Sequence, residues 1–173
     1  MRLKKSLGQH LLIDGRILWR IVKTAGVLPG DACLEIGPGT GNLTRRLLEA
    51  GASVTAVELD DDFAAALAAF ASDVPGGMLK VIHADALEIG FNDIIAEMLA
   101  VSDAFPGQGG VKVVANLPYN AGTAIIIKLL ETAGVDSMTL LIQKEVADRI
   151  AAAPGNPERG SLSVFCQSRA ECR

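Results

Sequence analysis

The chain has 173 residues, of which 50% are hydrophobic and 21% charged, a composition that fits one folded domain with a sizeable core and excludes a disordered chain. Sixteen Lys and Arg residues against twenty Asp and Glu residues give a net charge of −4, which argues against a protein that wraps nucleic acid with its whole surface. The apolar runs are shorter than the roughly 20 residues that a membrane-spanning helix needs, so no span is expected.

The charge is distributed unevenly along the chain. Residues 1–23 contain six cations and one anion, Asp14, so this N-terminal arm carries +5 and the rest of the chain carries −9. Cations with so few acids beside them favour contact with phosphates. The six cations are Arg2, Lys4, Lys5, Arg16, Arg20 and Lys23.

Targeting and redox features favour a cytoplasmic protein. The first ten residues contain cations but no apolar run of signal-peptide length, and a short organellar presequence is the alternative interpretation. Cys33, Cys166 and Cys172 form no C-x-x-C pair. Neither a disulfide framework nor a zinc site is therefore predicted.

Short β-rich runs alternate with helical stretches from residue 31 onward, which is the pattern of β-α units on a parallel sheet. After an initial helix over residues 16–25, strands are predicted over residues 32–36, 53–58, 79–83, 111–115, 138–143 and 162–167. Helices are predicted over residues 41–50, 61–71, 91–100, 123–132 and 144–152. The strands are mostly continuous apolar runs, as expected for strands covered on both faces. The pattern predicts one open, doubly wound α/β domain with ligands at the carboxyl ends of its strands.

The first predicted strand ends in a glycine-rich turn, Glu35-Ile36-Gly37-Pro38-Gly39-Thr40-Gly41. Three glycines permit a tight turn and the close approach of a ligand, and the helix that follows offers free N–H groups. A dinucleotide fingerprint needs G-x-G-x-x-G, but Asn42 or Thr44 stands where its last glycine belongs. A plain strand-to-helix turn is the structural alternative. The E-x-G-x-G-x-G form resembles the first motif of class I S-adenosylmethionine-dependent methyltransferases, which implies a Rossmann-like, mostly parallel sheet with helices on both faces.

Acidic residues stand where the second and third strands end. Glu58 ends the second strand, where a carboxylate can accept both hydroxyl protons of a ribose. Asp85 follows the third strand and can accept a hydrogen bond from an adenine amino group, or it can act only as a turn cap. Asp60 or Asp61 is expected to cap the helix after the second strand. His83 is expected to be a packing residue.

The fourth strand ends in the segment Asn116-Leu117-Pro118-Tyr119-Asn120. An exocyclic amine such as adenine N6 is a poor nucleophile, because its lone pair is delocalised into the ring. The Asn116 side-chain oxygen and the Leu117 carbonyl can hold the amine hydrogens and localise that lone pair, while Pro118 shapes the turn. Tyr119 can stack on the base, an interaction worth roughly 1–3 kcal/mol. A proline turn without chemistry is the alternative, but the position after strand four favours methylation of an amino group, driven mainly by alignment.

These motifs together resemble the KsgA/Erm family of rRNA adenine N6-dimethyltransferases, and the KsgA branch more than the Erm branch. The matching segments run almost from end to end of the chain. They are residues 4–12 (KKSLGQHLL), 34–41 (LEIGPGTG), 57–60 (VELD), 84–86 (ADA), 116–120 (NLPYN), 143–149 (QKEVADR) and 160–164 (GSLSV).

The resemblance implies a site and a reaction. The implied contacts of S-adenosylmethionine, whose product is S-adenosylhomocysteine, are His10, Leu12, Gly37, Gly39, Glu58, Asp85 and Asn116. The implied catalytic residues are Asn116, Leu117, Pro118 and Tyr119. The implied substrate is a pair of adjacent adenosines near the 3′ end of small-subunit rRNA within a ribosomal particle, and the RNA contacts expected in the arm are Arg2, Lys4 and Lys5. Neither a metal nor a membrane is implied, and a monomer is expected.

The sequence also departs from the family pattern. Leu11 replaces a common Phe, and Arg159 replaces a common Tyr, which puts a nearby surface contact in doubt. Family members continue through a further strand and a helical C-terminal domain, so we expect a basic arm and helix over residues 1–30 and an incomplete methyltransferase domain over residues 31–173. Residues 162–167 should then form an unprotected edge strand or stay poorly ordered. Such a domain is expected to bind the cofactor but to methylate rRNA poorly.

Two other classes of function are weighed against this hypothesis. A ribosome-assembly or transcription-associated factor on the same scaffold would bind RNA with little catalysis, but the intact Asn116 and Tyr119 favour an enzyme. A nicotinamide-dependent oxidoreductase is disfavoured because the G-x-G-x-x-G fingerprint is broken. Cytoplasmic rRNA adenine dimethylation is the preferred hypothesis.

Overall fold

The computed structural model describes residues 14–102 and 110–173, which form a five-stranded parallel sheet with helices on both faces. The strands are β1 (Ala32–Ile36), β2 (Ser53–Glu58), β3 (Leu79–His83), β4 (Val111–Asn116) and β5 (Val135–Leu141). The helices are α1 (Gly15–Thr24), α2 (Asn42–Glu49), α3 (Asp61–Ala71), α4 (Phe91–Ser102), α5 (Gly122–Leu130), α6 (Lys144–Ala151) and α7 (Ser161–Gln167). A short 3₁₀ turn over Pro75–Gly77 precedes β3. Within these two ranges, no helix combines the length and the apolarity that crossing a membrane requires.

The strand order is β3-β2-β1-β4-β5. Strands β2 and β3 are added on one side of β1, and β4 and β5 are added on its other side, so the strand order reverses between β1 and β4. In the register of the central strands, Leu34 pairs with Thr55 on one side and with Val113 on the other. In an open parallel sheet, a ligand site forms where the strand order reverses, outside the carboxyl ends of the strands. The topology therefore places the candidate site beyond the ends of β1 and β4.

The two faces of the sheet carry separate hydrophobic cores. Successive residues of a strand point to opposite faces, so Cys33 packs in the core beneath α1, α2 and α3, and the adjacent Leu34 packs in the core beneath α4, α5 and α7. Val113 and Val114 of β4 divide in the same way. Both faces of these central strands are thus covered, which explains why their sequences are continuous apolar runs.

Helix α1 packs in the same core as β1 and β2 through its buried residues Leu18, Ile21 and Val22. The connection after α1 is anchored as well, because the Lys112 ammonium lies 2.7 Å from the Gly26 carbonyl oxygen and 2.7 Å from the Asp31 carboxylate. This half-buried contact joins the segment that precedes β1 to the start of β4. The buried side chains of α1 and these Lys112 contacts together fix the helix beside the sheet.

Most predicted elements are confirmed. The first three strands begin and end as predicted, and β4 is one residue longer. Strand β5 begins three residues earlier than predicted, because Gly134 turns the chain at φ +83° and lets Val135 pair with Val111. A side chain at Gly134 would not fit, since a Cβ there would lie 2.7 Å from the Ile95 side chain.

The strand predicted over residues 162–167 is wrong, since this segment forms helix α7. A strand would place Val164 and Cys166 on one face, but Val164 is 54% exposed while Ser163 and Cys166, three residues apart, are buried. That spacing is helical. The expectation of an edge strand or poor order at residues 162–167 is wrong for the same reason, and the sheet ends at β5 in the described part of the chain.

Candidate functional site

A cleft of about 200 Å³ opens at the carboxyl ends of β1, β2, β3 and β4. Its walls are the segments that sequence analysis singled out. The predicted site residues that line it are Gly37, Gly39, Glu58, Asp85, Asn116, Leu117 and Pro118. The other predicted contacts, Arg2, Lys4, Lys5, His10 and Leu12, lie outside the described residues.

The glycine turn between β1 and α2 forms the floor of the cleft. Gly37, Gly39 and Gly41 all have positive φ, at +67°, +54° and +74°, which other residues rarely adopt. A Cβ at Gly41 would lie 2.7 Å from the Leu67 side chain, whereas a Cβ at Gly37 would meet nothing within 4 Å. Gly41 is thus needed for packing. Gly37 leaves free space in which a ligand can approach the backbone.

Glu58 connects the glycine turn to the next loop. Its carboxylate is 5% exposed and accepts a hydrogen bond from the Gly39 N–H at 2.8 Å and another from the Asp60 N–H at 2.9 Å. Each oxygen keeps a further lone pair with which it can accept a ligand hydroxyl. Asp60 in turn caps α3 by accepting from the Asp62 and Phe63 N–H groups, which decides between the two caps that the sequence allowed.

Glu35 is a second buried carboxyl group in the cleft, to which sequence analysis assigned no function. It is 1% exposed and accepts a hydrogen bond from the Thr44 hydroxyl at 2.7 Å. Burial raises the pKa of Glu35 to about 8, the Thr44 hydrogen bond opposes the shift, and the nearby Glu58 charge adds to it. The signal in the sequence was an acid inside an otherwise apolar strand, directly before the glycine turn. Near neutral pH the buried Glu35 carboxyl group of the folded chain is therefore mostly protonated.

The loop after β3 contains Asp85, which caps a turn and lines the cleft at the same time. Its Oδ1 accepts from the Leu87 N–H at 2.8 Å, and its carbonyl oxygen accepts from the Glu88 and Ile89 N–H groups. The cap is therefore present, and Oδ2 is left for a ligand. An adenine contact of Asp85 stays a prediction.

His83 differs from the expectation that it is a packing residue. Its side chain is 52% exposed, and its Nε2 lies 3.0 Å from the Asp61 carboxylate and 3.2 Å from the Leu59 carbonyl oxygen. The ring lies at the end of the edge strand β3, beside the first residue of α3. His83 therefore joins the ends of β2 and β3 by polar contacts.

The Asn116–Tyr119 segment forms the wall opposite the glycine turn. The Leu117 N–H extends the β4–β5 pairing by donating to the Leu141 carbonyl at 3.1 Å, and the Pro118 carbonyl accepts from the Gly122 N–H at 2.9 Å as α5 begins. These bonds hold the turn at both ends. Tyr119 is 49% exposed and lies in a shallow hollow beside the cleft, with Leu117 and Pro118 between the two. Stacking of a base on Tyr119 stays a prediction.

Within the residues that the structure describes, no group of three His, Cys, Asp or Glu side chains could hold a metal ion. The lining of the cleft instead offers carboxyl groups, glycine backbone and an amide side chain. The carboxyl oxygens can accept hydrogen bonds from a ligand that carries hydroxyl and amino groups. The sheet order, the glycine turn and the acid that ends β2 define a Rossmann-like fold of the class I S-adenosylmethionine-dependent methyltransferase type.

Known proteins share this architecture and sequence. A dimethyladenosine transferase from Plasmodium falciparum superposes with a TM-score of 0.71 and 28% identity, over 91% of this chain and 52% of that structure. The 23S rRNA methyltransferase ErmE superposes with a TM-score of 0.67 and 29% identity, over 84% of this chain and 53% of that structure. Ribosomal RNA small subunit methyltransferase A of Caulobacter vibrioides is 44% identical over 172 residues, which are 98% of this chain and 61% of the relative.

The family model for ribosomal RNA adenine dimethylases matches residues 1–173, and the chain belongs to that family. The family resemblance inferred from the sequence is thereby confirmed. The chain spans 61% of the length of the Caulobacter vibrioides protein and 55% of the length of the same-named protein of Alkaliphilus oremlandii.

Proposed function

We propose that this chain is the methyl-transferring part of an rRNA adenine N6-dimethyltransferase. Its substrate would be two adjacent adenosines near the 3′ end of small-subunit rRNA in a cytoplasmic ribosomal particle, on which it acts as a monomer. The observation that carries the proposal is that one cleft, built entirely from one chain, brings the glycine turn and Glu58 together with the Asn116–Pro118 turn. The names of the relatives support an rRNA substrate.

The lining of the cleft fits S-adenosylmethionine. Glu58 keeps lone pairs for the two ribose hydroxyls while it holds the Gly39 and Asp60 N–H groups. The open space above Gly37 accommodates the methionine part, and Asp85 Oδ2 is available for the adenine amino group. The acidic lining also favours a ligand with a positive charge.

Positioning by the Asn116–Tyr119 turn accounts for the chemistry. The bound cofactor supplies a methyl group that its sulfonium has already activated. The Asn116 side-chain oxygen and the Leu117 carbonyl accept the hydrogens of the target amine, and Tyr119 stacks on the extruded base. The N6–carbon bond forms as the carbon–sulfur bond breaks, sulfur keeps the electron pair, and the amine proton leaves to water. The intact turn favours this activity over a binding role alone.

The first test is calorimetric titration of the chain with S-adenosylmethionine. We expect the Glu58→Ala substitution to weaken binding by roughly ten- to a hundredfold, because charge-assisted hydrogen bonds to the ribose are lost. The matched control is Glu88→Ala, which removes the same charge from an exposed residue of a neighbouring loop and should leave the affinity unchanged. Absence of binding by the parent chain, or equal affinities in parent and Glu58→Ala, would contradict the cofactor site.

The exposed face of α1 supports an RNA substrate. Arg16, Arg20 and Lys23 recur at helical spacing on this face, and the Arg16 side chain is 93% exposed. Trp19 lies among them, 43% exposed, with the Arg46 guanidinium 5.4 Å from its ring. Cations beside an exposed aromatic ring are the combination that binds single-stranded RNA through phosphates and stacked bases. Direct RNA contacts by Arg2, Lys4 and Lys5 remain predictions.

A further inference from the structure

Lys128, in the last turn of α5, makes contacts that neither sequence analysis nor the proposed chemistry uses. Its Nζ donates to the Leu87 carbonyl oxygen at 2.7 Å and to the Ala86 carbonyl oxygen at 3.2 Å. It also lies 5.4 Å from the centre of the Phe91 ring, which is buried at the start of α4. No carboxylate of the described residues lies within ion-pair distance of this ammonium. The Lys128 ammonium group therefore binds the Ala86 and Leu87 carbonyls instead of a carboxylate.

The two carbonyls belong to the turn that contains Asp85. Residues 84–87 line the cleft at the end of β3, and the Leu87 N–H is the group that binds Asp85 Oδ1. Leu87 is thus held from two sides, by Asp85 through its N–H and by Lys128 through its carbonyl oxygen. Leu87 thereby connects the Lys128 ammonium to the Asp85 carboxylate.

The other end of this connection lies on α5, which also lines the cleft. Ala121 and Ile125 contribute to its wall, and Lys128 follows Ile125 by about one helical turn. Because α5 begins at the Asn116–Tyr119 turn, Lys128 joins the wall expected to hold the target base to the wall expected to hold the cofactor base. Hydrogen bonds from a charged donor to a carbonyl are stronger than neutral ones, and partial burial of Lys128 reduces competition from water.

We propose that Lys128 is a positioning residue for the adenine end of the cofactor: it fixes the Ala86–Leu87 turn against α5 so that Asp85 meets the adenine amino group. The inference rests on the proposed function, because it assumes S-adenosylmethionine in this cleft. It predicts that Lys128 controls the choice of base. The preference between two bases is a ratio of affinities, so it is measured separately from the affinity of the cleft for either ligand.

The test compares S-adenosylhomocysteine with S-inosylhomocysteine, in which an oxygen replaces the adenine amino group. We expect the parent chain to prefer the adenine compound by about tenfold, the effect of one good hydrogen bond. Lys128→Met keeps the apolar stem of the side chain and should reduce this preference to about twofold or less. Lys128→Arg retains a charged donor and should restore it. A role in folding alone would weaken both ligands equally and leave the ratio unchanged.

Two controls separate the possible outcomes. Asp85→Ala gives the ratio expected when the base contact is absent. Lys80→Met removes a lysine that pairs with Glu97 near the amino ends of the strands, away from the cleft at their carboxyl ends. A parent-like ratio in a folded Lys128→Met variant overturns the inference. If Lys128→Met does not fold, a lost preference in Lys128→Arg, which keeps the cation, overturns it instead. A parent chain that binds neither compound overturns the proposed cofactor site together with the inference.

Discussion

Glu35 shows how a single buried carboxyl group can couple the cleft to pH. An ionised carboxylate loses its hydration when it is buried, so the folded chain favours the protonated form, and the pKa rises to about 8. The unfolded chain has no such preference. Between the two pKa values the folded state holds a proton that the unfolded state has released, so the Glu35 contribution to stability falls as pH rises.

We predict a pH-dependent gain in stability for Glu35→Gln, which stays neutral and can still accept from the Thr44 hydroxyl. Relative to the parent, its free energy of unfolding should increase by roughly 2–4 kcal/mol between pH 5 and pH 9. Urea denaturation at several pH values measures this difference. Glu88→Gln, on an exposed residue, should follow the parent curve. Parallel curves for the parent and Glu35→Gln would show that Glu35 is ionised throughout.

At the scale of elements, α7 is held to α6 by a set of polar side-chain contacts. The buried Ser163 hydroxyl accepts from the Gly160 N–H at 3.1 Å and donates to the Arg149 carbonyl at 2.5 Å. Gln167 donates to the Ile150 carbonyl at 2.8 Å, and Arg159 donates to the Gln167 side chain at 2.6 Å. Arg159, where the family pattern has Tyr, is therefore part of this network. The Ser163 and Gln167 side chains bind carbonyls in the last turn of α6, where the Arg149 carbonyl also accepts from the Ala152 N–H at 3.4 Å.

Ser163→Ala tests this arrangement. Loss of the hydroxyl removes the partner of the Gly160 N–H and leaves the Arg149 carbonyl with only the 3.4 Å bond from the Ala152 N–H, so the free energy of unfolding should fall by about 1–3 kcal/mol. The control is Ser168→Ala, which removes an exposed hydroxyl bonded to the Phe165 carbonyl and should change the stability by less than about 0.5 kcal/mol. Denaturant unfolding followed by circular dichroism measures both. Equal effects of the two substitutions would contradict the structural role of Ser163.

At the scale of the whole molecule, the positions of the charged residues matter more for RNA binding than the net charge of −4. The carboxyl groups Glu35, Glu58 and Asp85 line the cleft, while the cations of α1 lie on an outward face beside it. An acidic chain can therefore present phosphate-binding charge locally. Binding of RNA to such a face depends on salt, because each phosphate that is neutralised releases counterions.

We predict that replacing Arg16, Arg20 and Lys23 together by Gln weakens binding of an rRNA fragment that contains the two adenosines. The slope of log affinity against log salt concentration should become shallower by about two. A matched triple substitution by Gln at Lys80, Lys144 and Arg173, which are exposed cations outside α1, should leave the slope close to that of the parent. Fluorescence titration at several salt concentrations measures the slopes. Identical slopes for the two triple variants would exclude α1 as an RNA contact.

The sequence by itself determined the alternation of strands and helices, the glycine turn and the Asn116–Tyr119 turn, because these depend on local conformational preference and on chemistry visible in a short segment. It also identified the family, which the family model confirms. Residues 162–167 were misassigned because a short, mostly apolar run is compatible with a strand or with a helix. The burial of Ser163 and Cys166 depends on a carbonyl of α6 and on the core that these side chains contact.

Only the tertiary structure decided the environment of side chains whose function depends on distant partners. Glu35 is an ordinary acid until the sheet and α2 remove it from water, and the half-exposed His83 ring lies between the Asp61 carboxylate and the Leu59 carbonyl oxygen. Lys128 reaches the Asp85 turn across more than forty residues of sequence. Desolvation and long-range hydrogen bonds are properties of the folded arrangement, so no local pattern encodes them.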